Sequence, residues 1–67
     1  MPQWHELDKN QKDAAHSIVE QLWKAGVTSA TVSSVGRNLD DALAWSAGDI
    51  TLRELCARAR WAAPQQT

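Results

Sequence analysis

Apolar residues recur every three or four positions in three separate stretches of this chain, and that spacing commits it to helices. Ala15, Ile18, Val19 and Leu22 form one stripe, and Leu52, Leu55, Cys56 and Ala59 form another. Between them Val32, Val35, Leu39, Ala42, Leu43 and Ser46 keep to one face over about four turns. Each series follows the i, i+3, i+4, i+7 rule of a helix that buries a single side. The one competing segment is VTSATVSSV, residues 27–35, whose Thr, Ser and Val have poor helix propensity. A lone strand there would need a partner strand, and no other segment offers one. The expected fold is therefore all-α, a small three-helix orthogonal bundle, with four helices if the middle one breaks.

Local signals place the boundaries. Asp8 can accept the free N–H groups of a first turn, and Gln11 three residues on completes a capping box, so helix 1 is expected over about 9–25. Gly26 suits the left-handed position just past its end. The middle helix is expected over about 29–47, closed by Gly48. A break near Gly36 is favoured by that glycine and by Asn38 with Asp41, which read as a fresh cap and an acidic first turn. Thr51 and Glu54 make a full capping box, Ile50 and Leu55 a hydrophobic staple, and the last helix is expected over 52–62. Pro64 limits its extension, leaving a frayed tail at 63–67.

These helices belong to one domain spanning 1–67. A chain of 67 residues buries only ~60% of the surface its unfolded form exposes. Cys56 is the sole cysteine, so no intrachain disulfide assists, which points to a reducing, cytoplasmic setting and raises the case for a homodimer or an obligate partner. The opening MPQWHELDKN lacks the apolar core of a secretory signal, and no run approaches the ~20 apolar residues of a membrane span. A soluble protein with no membrane partner is expected. Seven basic and eight acidic residues leave a net charge of −1, a weak footprint for a phosphate binder. The basic residues concentrate late: residues 51–67 hold Arg53, Arg58 and Arg60 against Glu54 alone.

Residues 25–35 resemble the turn and recognition helix of LacI-type repressors. Ala25, Gly26 and Val27 match that family's A-G-V turn, and Thr31, Val32, Ser33 and Val35 match its T-V-S-x-V run. Thr28 stands where the family has the serine that caps the recognition helix. The resemblance implies a helix-turn-helix whose groove-facing residues would be Thr28, Ser29 and Ser33, with Arg37 nearby. The chain departs from the pattern at Gln21, at Leu22 where the helices should cross on a small residue, and at Ser34 where the family has an arginine. NLDDALAW, residues 38–45, is similar to the last helix of ubiquitin-associated domains, but the spacing from Gly26 is about a turn short for that family.

Chemistry-bearing residues are few. Asp13, His16 and Glu20 share a helix face at i, i+3 and i+7, a spacing that could hold a metal ion, but no cysteine or second histidine joins them, and a solvated face is expected. Cys56 lies on an apolar stripe, so an inert buried thiol is expected rather than a nucleophile. No phosphate-cradling glycine loop is present. The reading is of a non-enzyme with no cofactor and no metal.

The aromatic content consists of Trp4, Trp23, Trp45 and Trp61, with no Phe or Tyr. None sits at the centre of a predicted stripe, so each either closes the rim of the core or projects toward a partner. Trp61 with Arg58 is expected to be the most exposed pair. The function these features favour is a small protein-binding regulator or inhibitor, of the kind bacteria or phages encode, acting on another protein or on itself through Trp45, Arg53, Arg58 and Trp61. The alternative is a helix-turn-helix DNA-binding regulator using Thr28, Ser29, Ser33 and Arg37.

Overall fold

The computed structural model describes residues 7–64; Trp4 and the final residues of the expected tail lie outside them. The described residues are all-helical and form a small bundle: α1 Lys9–Lys24, α2 Val32–Arg37, α3 Leu39–Ser46 and α4 Leu52–Ala59. Helices α2 and α3 pack on α1, and α4 packs on α3. Most residues of the expected stripes converge on one core of Ala15, Ile18, Val19, Leu22, Val35, Leu39, Ala42, Leu55 and Cys56, joined by Leu7, Val27, Ala30 and Trp61, whereas Leu43 and Ser46 of the middle stripe are exposed.

Helix α1 begins as its sequence dictates. The Asp8 carboxylate accepts the Gln11 N–H at 2.8 Å, and the Gln11 side chain accepts the Asp8 N–H at 3.0 Å. Its end is a Schellman motif. Gly26 takes φ +98°, the Val27 N–H donates to the Leu22 carbonyl at 2.9 Å, and the Gly26 N–H donates to Trp23 at 3.1 Å. Leu22 and Val27, the apolar pair that accompanies such a motif, are both fully buried. Helix α3 ends the same way, with Gly48 at φ +85° and the Asp49 N–H bonded to the Ala44 carbonyl at 2.8 Å.

The middle segment, expected as a helix over 29–47 with a break near Gly36, forms two helices, and its start and the agent of its break differ from that expectation. Helix α2 starts at Val32, not Ser29, because Thr31 is the cap. The Ser34 N–H donates to Thr31 Oγ1 at 3.1 Å, and the Thr31 N–H donates to Ser34 Oγ at 2.9 Å. The Ala30 carbonyl, which a helix begun at Ser29 would use internally, instead accepts the Trp23 indole N–H at 2.7 Å. The expected break is present, but its agent is Asn38 rather than Gly36, which lies buried inside α2. Asn38 Nδ2 donates back to the Ser34 carbonyl at 2.8 Å, so the side chain closes α2 and makes no cap bond to α3.

Helix α4 has the expected capping box: the Glu54 N–H donates to Thr51 Oγ1 at 3.1 Å, and Glu54 Oε1 accepts the Thr51 N–H at 3.1 Å. The bond from the Thr51 backbone, then that with its hydroxyl, holds the Glu54 carboxyl below its ordinary value. This contribution to the cap is present above the ordinary carboxylate range and is lost as pH falls through the lowered native value. The helix stops at Ala59, short of the expected 62, because Arg60 adopts φ +61°, ψ +36° and the Trp61 N–H returns to the Cys56 carbonyl at 2.9 Å. Pro64, in the tail expected over 63–67, is half-buried, and a Cβ placed on Gly26 would stand 3.0 Å from its Cβ.

Arg60 thus occupies, at the end of α4, the left-handed position that glycine fills in α1 and α3. An L-residue there is destabilised by roughly 1–2 kcal/mol. Arg60→Gly is therefore expected to stabilise the domain by about 1 kcal/mol, seen as a rise of several degrees in melting temperature. An unchanged or lower melting temperature would mean that the arginine side chain fully offsets its backbone strain.

Candidate functional site

The structure distributes the four expected contact residues over different environments. Trp61 is the clearest correction. It is only 9% exposed and belongs to the core, because the left-handed turn at Arg60 swings it inward under α4. Arg58 remains on the surface but is engaged: its Nη1 donates to Asp41 Oδ1 at 3.0 Å, tying α4 to α3. Asp41, read as a helix-terminus charge, therefore also serves as a tertiary ion-pair partner. Trp45 is half-buried and packs against the core. Arg53 is exposed and lies about 140° around the α4 axis from Arg58. The two arginines face different parts of the surface.

Among the described residues the exposed tryptophan is Trp23, which follows the last residue of the first stripe. It is 48% exposed, and its indole N–H is bound to the Ala30 carbonyl. The ring is thus held across the α1–α2 turn with its polar group already satisfied. What faces solvent is the apolar body of the indole. Leu43, at 44%, is the other exposed large apolar side chain among the described residues. No sequence signal separates Trp23 from Trp61, because exposure is decided here by two backbone turns.

A shallow hollow of about 230 Å³ opens between the first turn of α4 and the returning chain, lined by Leu52, Arg53, Ala63 and Pro64. Pro64 belongs both to this hollow and to the contact with Gly26, three residues beyond Trp23. The hollow and the end of α1 therefore adjoin.

The residues of the helix-turn-helix reading are placed as follows. Thr28, Ser29, Ser33 and Arg37 are all exposed. Thr28 and Ser29 lie in the turn, and Ser33 and Arg37 lie on α2. Thr28 does not cap a helix; Thr31 does. Ser34, where the repressor family has an arginine, is spent inside the capping box and is buried.

Among the described residues, no group of three or more His, Cys, Asp or Glu side chains could hold a metal ion. Asp13, His16 and Glu20 are exposed along α1. Cys56 is buried, and burial pushes its thiol pKa up. Its thiol is expected to react with an aromatic disulfide reagent only as fast as the domain opens, and at once in denaturant. Retention of the neutral thiol also makes stability depend on pH. The contribution is complete below the ordinary thiol value and is lost as pH climbs through the raised native one. Rapid labelling under native conditions would place Cys56 on the surface.

The fold is thus a small all-α bundle, and no helix among the described residues is long and apolar enough to cross a membrane. No family model, curated protein or solved structure matches this chain. The likeness to LacI-type repressors rests on residues 25–35 alone.

Proposed function

We propose that this chain is a non-enzymatic protein-binding module whose principal anchor is Trp23. The observation that carries this reading is an indole almost half exposed yet immobilised by a 2.7 Å hydrogen bond to Ala30. An exposed aromatic ordinarily loses side-chain freedom on binding, and its N–H must find a partner. Both requirements are met beforehand in Trp23, so a partner gains the apolar contact at little ordering cost. Arg53, on the adjoining hollow, supplies a cation to the same end of the molecule. The Trp/Arg surface read from the sequence is kept in kind and moved in place, from Trp61 and Arg58 to Trp23 and Arg53. Action as a regulator or inhibitor in the cytoplasm, on another protein or on a second copy, belongs to this proposal.

Capture from a lysate of the cells that express the chain tests it. Truncating a hot-spot tryptophan costs about 2 kcal/mol or more, roughly thirtyfold in Kd. Trp23→Ala should therefore lose the captured partner while Leu43→Ala keeps it, with helicity checked for both. A folded Trp23→Ala protein that captures as wild type does would overturn the reading.

A second reading, binding to duplex DNA, is favoured by the joint exposure of Thr28, Ser29, Ser33 and Arg37. It requires retention on random duplex DNA that falls steeply as salt rises.

A further inference from the structure

We infer that residues 60–64 form a strap that holds Trp23 in its presented pose, so that lifting the strap from the end of α1 loosens this anchor while the helices stay folded. The inference rests on the protein-binding reading and adds how that site is controlled. Helix α4 packs on α3, and the chain that follows it reaches the turn after α1. The strap is attached at two points. Trp61 is buried in the core, with its N–H on the Cys56 carbonyl at 2.9 Å. Three residues on, Pro64 lies so close to Gly26 that a Cβ added to the glycine would stand 3.0 Å from the proline Cβ. Glycine both permits that approach and suits the φ of +98° at this position. Ala62 and Ala63, between the two attachments, are exposed.

The turn under Pro64 has little else to hold its shape. The N–H groups of Gly26 and Val27 donate back to α1. Among the described residues, no backbone N–H of Thr28, Ser29 or Ala30 donates to a backbone carbonyl. The course of 28–30 therefore depends on the direction in which the chain leaves Gly26 and on the burial of Val27 and Ala30. At the end of that course stands the Ala30 carbonyl, which accepts the Trp23 indole N–H at 2.7 Å. Pro64 thus braces the start of a segment whose last residue fixes the anchor. Seating the strap is opposed by the left-handed backbone that Arg60 must keep for the chain to turn back. Burial of Trp61 offsets this strain. Pro64 is smaller and only half-buried, which makes it the attachment that lifts first.

Hydrogen exchange of the full chain, followed by NMR, tests this. The Trp23 indole N–H reports on the anchor, and the Val19 amide, buried within α1, reports on opening of the whole domain. Pro64→Gly removes the ring that rests against Gly26. It should speed indole exchange about threefold to tenfold while the Val19 amide stays within about twofold of wild type. Pro64→Ala, which keeps the Cβ and loses the rest of the ring, should fall between wild type and Pro64→Gly. Ile50→Val, a trimmed half-buried side chain ahead of α4, should do the reverse and speed the Val19 amide more than the indole. An indole unchanged by Pro64→Gly, or one that follows the Val19 amide in every variant, would overturn the inference. No partner enters the measurement, so its failure is distinct from failure of the protein-binding reading.

Discussion

Trp61→Ala is expected to leave the domain largely unfolded at room temperature. Removing a buried tryptophan costs about 3–5 kcal/mol, and a core of this size rarely supplies more than ~3–5 kcal/mol in all. Trp61 is 9% exposed, sits against the C-terminal end of α4 and closes the core on that side. Urea unfolding followed by far-ultraviolet circular dichroism should show the variant with no native baseline, and Trp61→Phe with a reduced midpoint. Arg58→Ala provides the contrast. Its ion pair with Asp41 is surface-exposed, and such pairs contribute only about 0.2–1 kcal/mol. Its midpoint should move little. A wild-type midpoint for Trp61→Ala would return this ring to the surface, where the sequence pattern placed it.

Leu22→Ala should be comparably damaging, by about 2–5 kcal/mol. Leu22 is fully buried among the side chains that α2 and α3 bring onto α1. It also contributes the apolar contact that, with Val27, accompanies the turn after α1. The substitution therefore opens a cavity and loosens the angle at which the chain leaves the helix. Loss of near-ultraviolet tryptophan signal with part of the far-ultraviolet signal retained would mark a collapsed state without fixed packing. A sharp, cooperative transition within 1 kcal/mol of wild type would show that the core can close around the missing atoms. The repressor family places a small residue at this position. The size of the effect therefore measures how far the α1–α2 packing of this chain depends on a large one.

The helices were legible where apolar spacing and end signals agreed. Asp8 with Gln11, Thr51 with Glu54, and the glycines at 26 and 48 all act as their residue types predict. The start of α2 was missed because its capping box closes with Ser34 instead of a glutamate or glutamine, a pattern that resembles any run of small polar residues. The end of α4 was missed because nothing in an arginine announces a left-handed backbone. That one dihedral carried the largest error about the candidate surface. It turns Trp61 inward and brings Ala63 and Pro64 back beside Leu52 and Arg53. The exposure of Trp23 was hidden for a related reason. Its hydrogen bond is to a backbone carbonyl seven residues on, whose position depends on the turn between α1 and α2. Residue patterns specify which side of a helix is apolar, but they do not specify which flanking ring the neighbouring turns will cover.

Helices α2, α3 and α4 are six, eight and eight residues long. Isolated helices shorter than ~12–15 residues are marginal in water, since nucleation is unfavourable and few backbone bonds follow it. None of the three can persist as an autonomous fragment, and each acquires its shape from docking on α1. Dissection into peptides would therefore yield coils. Assembly of the whole should be cooperative, with the chain behaving as one thermodynamic unit whose parts appear and vanish together.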